Sequence, residues 1–328
     1  SGQLEAGRDL TLLATDTVQM RDSANNPFIA EAGGELVVQG NQAVDIFALN
    51  HPQSQLQSGG NFSLISDGNI SGDAHFFSGG HLSMLTLAGT PGNFVSWFDP
   101  IIRANGDVQF GDYTGVALKV EATGSIQGGN IRITAPDATI PADDPDYATL
   151  TGSPSVILRA GLDLVGIPNL PQNGGGASFT GTSGLPLGIT VGNIDTSVSD
   201  GRDGGDIILS AAMENIVTGE LKSSSFLSMS PISKSGNGGD ITLSAGGNIT
   251  TNGSLIASSS GSDSSGGGAI TLEAGGNITT NDILTSSSRS TYNSGNAGNI
   301  TLMARGSIHT KYDIYSYSQS GPSNSSAT

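Results

Sequence analysis

A chain of 328 residues with 12 Lys and Arg against 29 Asp and Glu carries a net charge of −17 and no cysteine. That acidic balance argues against nucleic acid or an anionic membrane surface as a partner, because both attract basic faces. No stretch of 18 apolar residues occurs, so no membrane insertion is predicted, and the lack of cysteine is compatible with export without disulfides.

Taken in order, the first third is punctuated by one short pattern, Ala or Ser, a Gly-containing pair, a polar residue and an apolar one. It occurs as AGRDL (6–10), AGGEL (32–36), SGGNF (58–62), SGGHL (78–82), ANGDV (104–108) and ATGSI (122–126). Apolar residues then alternate after Leu10, Leu36, Phe62, Leu82 and Val108, and again at Ile131–Ile133. Alternation predicts strands with one buried face, each following a glycine corner. Residues 87–104, LAGTPGNFVSWFDPIIRA, break the rhythm and predict a loop. This loop holds the single tryptophan, Trp97, between Phe94 and Phe98. An aromatic platform for a sugar is one reading. A loop folded onto the flank, its aromatics covering apolar surface, is the preferred one, because aromatics more often bury area than bind ligands.

Residues 136–190 are the least repetitive. Prolines at 136, 141, 145, 154, 168, 171 and 186, with Gly174 to Gly176, predict long excursions around a surviving strand at Ser155–Ala160. Asp143, Asp144 and Asp146 form the densest acidic cluster. Neither an EF-hand spacing nor a calcium nonapeptide accompanies them, so they read as a solvated loop.

From Val191 the chain becomes regular. Ile207, Ile241, Ile270 and Ile300 open related phrases 34, 29 and 30 residues apart, and Ile-Thr-Leu-x-Ala-Gly-Gly-Asn-Ile-Thr-Thr occurs at 241–251 and at 270–280. A repeat of that period means a solenoid. In each repeat ITLxA is one strand, Gly-Gly a corner that a Cβ would obstruct, and the segment after Asn a second strand. A third comprises 192–196, 219–223, 253–257, 282–286 and 313–317, and the Ser/Gly-rich run 258–268 returns the chain to the next repeat. Three short strands per turn predict an all-β parallel β-helix of about eleven or twelve turns, a rod about 55 Å long. Asn248 is expected above or below Asn277, their amides hydrogen-bonding along the axis. Residues 1–135 form irregular turns, 136–190 the turns with excursions and 191–328 the regular repeats, all one continuous solenoid. The pattern already runs at Ala6 and still runs at Ile314, which predicts a segment of a longer polypeptide.

Chemistry has little to stand on. Polysaccharide lyases and hydrolases built on β-helices need carboxylates and a base on adjacent strands of one face. Here the acids cluster in loops and the 12 bases are scattered. The best candidates for such a site are Asp143, Asp144 and Asp146 with Arg103, Arg132 and Arg159. His51, His75, His81 and His309 show no metal-ligand spacing, and His75 and His81 read as exposed turn residues. No GxSxG and no phosphate-loop Lys is present. No catalytic residue, cofactor or metal ligand is therefore predicted.

GGDITLSAGGNITT (238–251), its Ser-rich link and GGAITLEAGGNITT (267–280) resemble the filamentous-haemagglutinin-like exoproteins of two-partner secretion, in particular the large cyanobacterial ones. So do WFDPIIRANGDVQF (97–110) with Tyr113-Thr114-Gly115, and VGNIDTS (191–197). The resemblance implies a right-handed β-helix, export through an outer-membrane transporter recognised by a region upstream of this chain, and a secreted or cell-surface place. The expected function is a structural and adhesive shaft of an extracellular fibre, without catalysis. Its expected partners are that transporter, surface glycans and further copies of itself joined head to tail. The alternative is a carbohydrate-active or glycan-binding β-helix acting on extracellular polysaccharide.

Overall fold

The computed structural model describes residues 2–162, 187–227, 234–261, 263–289 and 295–319. Apart from Lys234–Ser235 and Asp263–Ser264, which pair with each other, the strands of the described residues fall into three long parallel sheets. The first runs from Gly2–Ala6 to Ile300–Ala304 and the second from Leu10–Ala14 to Ile308–Thr310, with eleven strands each. The third, from Thr17–Arg21 to Ile314–Gln319, has twelve because Ser225–Phe226 pairs at its margin with Leu255–Gly261. Every turn contributes one strand to each sheet in turn, which is a parallel β-helix. Ten steps of about 4.8 Å between neighbouring strands make a stack about 48 Å long.

Register follows the apolar pattern, since a slip of one residue would turn every buried side chain outward. In the first sheet Ile207, Ile241, Ile270 and Ile300 lie side by side, as do Leu209, Leu243, Leu272 and Leu302. In the second, one unbroken column runs Leu10, Leu36, Phe62, Leu82, Val108, Ile126, Ile189, Ile216, Ile249, Ile278, Ile308. The irregular early corners and the regular late ones are therefore the same corner. Within Ile241–Ala245 burial alternates as the pattern requires. The interior of the earlier turns is aromatic: Phe62, Phe76, Phe94 and Tyr113 follow one another with centroids 5.9, 6.3 and 5.4 Å apart. In the later turns Ile, Leu and Ala fill the same space.

Corners interrupt the ladder of backbone bonds, and side chains take over there. At the first corner, Asp9 Oδ1 accepts the Glu35 N–H at 2.8 Å, Asn61 Oδ1 that of His81 at 2.9 Å, and Asp107 Oδ1 that of Ser125 at 2.7 Å. The column continues with Asn215, Asn248 and Asn277, each accepting the N–H one turn on at 2.7 to 2.8 Å. At the second corner Asn93, Asp112, Asn130 and Asn193 do the same, and at the third Asp206 and Asp240. The expected Asn248–Asn277 stack is present, but its main bond runs from side-chain oxygen to backbone amide. An amide-to-amide contact occurs between Asn248 and Asn215, at 3.2 Å. Glycine stays at the first corner because the turns touch: a Cβ on Gly275 would lie 2.1 Å from the Gly246 carbonyl oxygen.

Four expectations need correction. Residues 87–104 are not an irregular loop but an ordinary turn, with Phe94–Ser96 in the third sheet and Ile101–Ala104 in the first. The third-strand equivalence of 253–257 with 282–286 is one residue out, since Ile283 pairs with Leu255. The chain between Thr280 and Ile283 has one residue fewer than that between Thr251 and Leu255, and the buried Ile sets the register. Part of the Ser-rich run 258–268 is strand, continuing Leu255–Gly261 with Ser259 fully buried, its Oγ donating to the Gly236 carbonyl at 2.7 Å. The 136–190 region contains one turn in the described residues, with Val156–Ala160 and Gly188–Thr190 as its first two strands. Pro168, Pro171, Gly174 to Gly176 and Pro186 lie outside the described residues.

Gly275→Ala should destabilise the regular turns by about 1–3 kcal/mol, the overpacking range for a well-filled site. Leu243→Ala should cost about 2–5 kcal/mol. Urea unfolding followed by circular dichroism checks both.

Candidate functional site

Between the third-sheet strand Ile131–Ala135 and the first-sheet strand Val156–Ala160, residues 136–155 leave the coil and fold back over the outer face of the first sheet. They carry the short helix Tyr147–Gly152. The outward residues of that face are unusually apolar here: Ile101, Ala117 and Ile157, with Ile208 partly buried. Ile140 and Leu150 from the flap bury against them, forming a second apolar cluster. Covering this patch explains why the excursion is held and not splayed into solvent.

The patch is bordered by charge. Lys119, 1% exposed, donates to both Asp144 oxygens at 2.8 and 2.9 Å and meets Asp146 at 2.8 Å. Arg103 bonds Glu121 at 2.8 Å and lies 3.7 Å from Asp144, and Arg159 meets Asp146 at 2.6 Å and Glu121 at 3.2 Å. Three acids face three bases, so the cluster is neutral as a unit. Burial pushes the Asp146 carboxyl up, but hydrogen bonds from Arg159 and Lys119 outweigh it and hold it at about 2. The bond to Asp146 likewise raises the Arg159 guanidinium. The solvated acidic loop expected at 143–146 is therefore corrected: Asp144 and Asp146 are half-buried, their carboxylates turned into the cluster with side-chain exposures of 5% and 12%, and only Asp143 stays exposed.

The structure thus unites Asp144 and Asp146 with Arg103 and Arg159, but not with Arg132. Arg132 lies on the third sheet, paired with Asp195. Sequence reasoning missed Lys119 and Glu121. The signal was present: the 18-residue spacing from Val108 to Ile126 also sets Glu121 beside Arg103. In LKVEA both charged residues alternate with Leu118, Val120 and Ala122, which fill the core.

A second polar group lies where the flap departs. Asp99 precedes Ile101–Ala104, and its Oδ2 is 2.6 Å from His75 Nε2. Its Oδ1 is buried with no hydrogen-bond partner. Asp137, 1% exposed, accepts the Thr139 and Ile140 N–H groups at 2.7 and 3.2 Å. Burial and the charge of Asp99 push its carboxyl up to about 7. Tyr113, fully buried with its hydroxyl donating to the Val116 carbonyl at 2.8 Å, is raised by burial and then by Asp73, Asp137 and Asp99. His75 and His81 are not exposed turn residues. His75 starts a first-sheet strand, and His81 Nδ1 accepts the Asp107 N–H at 2.9 Å in the first corner column. Side-chain exposures of 1% for Asp99 and 25% for His75 leave no room for a polymer to reach these acids.

The aromatics divide. Phe94 is core, on a strand inside the coil and not in a loop on its flank, whereas Trp97 and Phe98 are 53% and 44% exposed. Phe98 rests edge-on against Phe47, centroids 5.1 Å apart. Asp73 Oδ1 holds the shelf by accepting the Ser96 hydroxyl and the Trp97 and Phe98 N–H groups at 2.6, 2.6 and 2.9 Å. Clefts of about 510 and 530 Å³ occur elsewhere. One is lined by the Ala–Gly corners from Ala211 to Arg305, the other by Asp203, Asp206, Asn237 and Asp240 below the flap helix. In the second, burial and the charges of Asp240 and Asp203 raise Asp206 against the lowering bond from the Asp240 N–H. Among the described residues no His, Cys, Asp and Glu group is arranged to hold a metal, and no helix is long and apolar enough to cross a membrane. Compared with family models, curated proteins and solved structures, the chain matches none.

Lys119→Met removes the central cation and strands buried carboxylates, which should cost about 3–5 kcal/mol. Faster protease cleavage within 136–155, compared with the parent chain, is the readout.

Proposed function

We propose that this chain is a structural and adhesive shaft in a secreted or cell-surface β-helical fibre, and that it is not an enzyme. The observation that carries the reading is the uninterrupted register of eleven turns through one corner column. Backbone bonds and corner side chains run along one axis, so the chain transmits load lengthwise with little bending. A catalytic β-helix needs acids and a base open to a polymer. Here the closest such constellation, Arg103, Lys119, Glu121, Asp144, Asp146 and Arg159, is neutralised within itself under a flap. Export through an outer-membrane transporter is proposed from the sequence resemblance. Head-to-tail association with further copies suits parallel strands, whose edges are complementary. Electron microscopy of source cells, labelled with an antibody to this segment, should place label along extracellular fibres. Label confined to soluble protein, with no fibres, would sink the shaft reading.

The glycan-binding reading has one observation of its own, the exposure of Trp97 and Phe98 on a fixed backbone. The C–H face of a sugar ring carries slight positive charge and suits the negative face of an indole. Trp97→Ala should abolish binding on a glycan array while leaving the circular dichroism spectrum unchanged. Equal binding by both proteins would remove the shelf from the account.

A further inference from the structure

Four features of the flap's departure point converge on one group. Asp99 Oδ1 is buried with no partner. Asp99 Oδ2 is occupied by His75 at 2.6 Å. Asp137 is 1% exposed, and its carboxyl lies within hydrogen-bonding reach of Asp99. Two bare carboxylates cannot occupy that position without strong repulsion, whereas one proton between them satisfies the orphan oxygen. We propose that Asp99 and Asp137 share a single proton that latches residues 136–155 onto the shaft, and that losing this proton loosens the flap and uncovers Ile101, Ala117 and Ile157.

The surroundings fix where the proton sits. His75 Nε2, on the first sheet, already occupies Asp99 Oδ2 at 2.6 Å, and the carboxyl pushed up is that of Asp137, so the proton belongs to Asp137. Asp73 at the end of Asn69–Asp73 adds negative charge, and its Oδ1 is taken up by Ser96, Trp97 and Phe98. Tyr113 from the third sheet is uncharged, its hydroxyl spent on the Val116 carbonyl. Thr139, in the flap, donates N–H and Oγ1 to Asp137 Oδ1 at 2.7 and 3.0 Å. The nearby cations Arg103, Lys119 and Arg159 are engaged by Glu121, Asp144 and Asp146 and do not compensate the pair.

The sign follows. Asp137 in the closed flap titrates at about 7, and in an open flap near the ordinary value of about 4. A raised acid stabilises the closed form fully below about pH 4, and that contribution is lost as pH rises through 7. The flap's opening constant should then be about a hundredfold larger at pH 8 than at pH 5. Asp146, held at about 2, does not titrate in this window.

Amide hydrogen exchange of the full chain, corrected for intrinsic rates, reads this constant at residues 137–152. The expected result is the hundredfold rise in the parent protein, its disappearance in Asp137→Asn, and its survival in His75→Gln. Unchanged protection between pH 5 and 8, or a slope lost in His75→Gln and kept in Asp137→Asn, would overturn the latch. Should Asp137→Asn fail to fold, carbon-13 titration of the parent Asp137 carboxyl decides. A midpoint near 7 supports the shared proton, and one near 4 refutes it.

Discussion

The structure depends on side-chain oxygens at its corners. Strands stack in register by backbone bonds, but at each corner the ladder pauses and leaves N–H groups without a strand partner. An unsatisfied amide in a partly covered position is costly, and this chain answers by placing Asn, Asp or Ser one residue before the strand. Each oxygen reaches along the axis to the amide one turn on, as Asn215, Asn248 and Asn277 do in sequence. These columns set the rotation of every turn on the next. That in turn aligns the buried Ile, Leu and Phe and decides which side chains meet on the outside.

Once registration is fixed, insertions are tolerated where they leave a corner and return to it. Residues 136–155 leave after the third sheet and rejoin the first without shifting either, since Leu118 still pairs with Val156 and Ile131 with Ile194. The covered patch of Ile101, Ala117 and Ile157 gives this excursion a place to rest. The same stacking builds the charge cluster, because Arg103, Glu121 and Arg159 occupy one outward column on successive turns. Its groups satisfy one another, which is the arrangement expected of a fastening and not of a reaction centre.

Much of the fold was legible because the repeat fixes it. ITLxAGGNI places a buried Ile, Leu and Ala, a tight corner and an axial Asn in one phrase, and the early AGRDL and SGGNF corners obey the same rule. Two kinds of feature escaped. Residues 87–104 looked irregular because aromatics and Pro91 hide the alternation, although Phe94 and Ile102 are core. Ser259 lies in the run read as a link, yet it is fully buried, as are Ser225 and Ser287, and each hydroxyl is satisfied by donating to a backbone carbonyl. The charged cluster was half legible. Asp144, Asp146 and both of its arginines were marked as candidates and Glu121 was not, and folding of the loop onto Lys119 depends on contacts between turns that no local spacing reveals.

The central claim is that one continuous stack passes through the irregular middle of the chain. It is tested most directly by spin labels at Ser63→Cys and Thr250→Cys, outward positions on the second sheet in a chain with no native cysteine. Their strands are six steps apart along the Phe62-to-Ile249 column, a separation of about 29 Å. A single narrow distance distribution near that value is predicted. A broad distribution, or one centred well beyond it, would mean that the halves are separate bodies and would contradict the account.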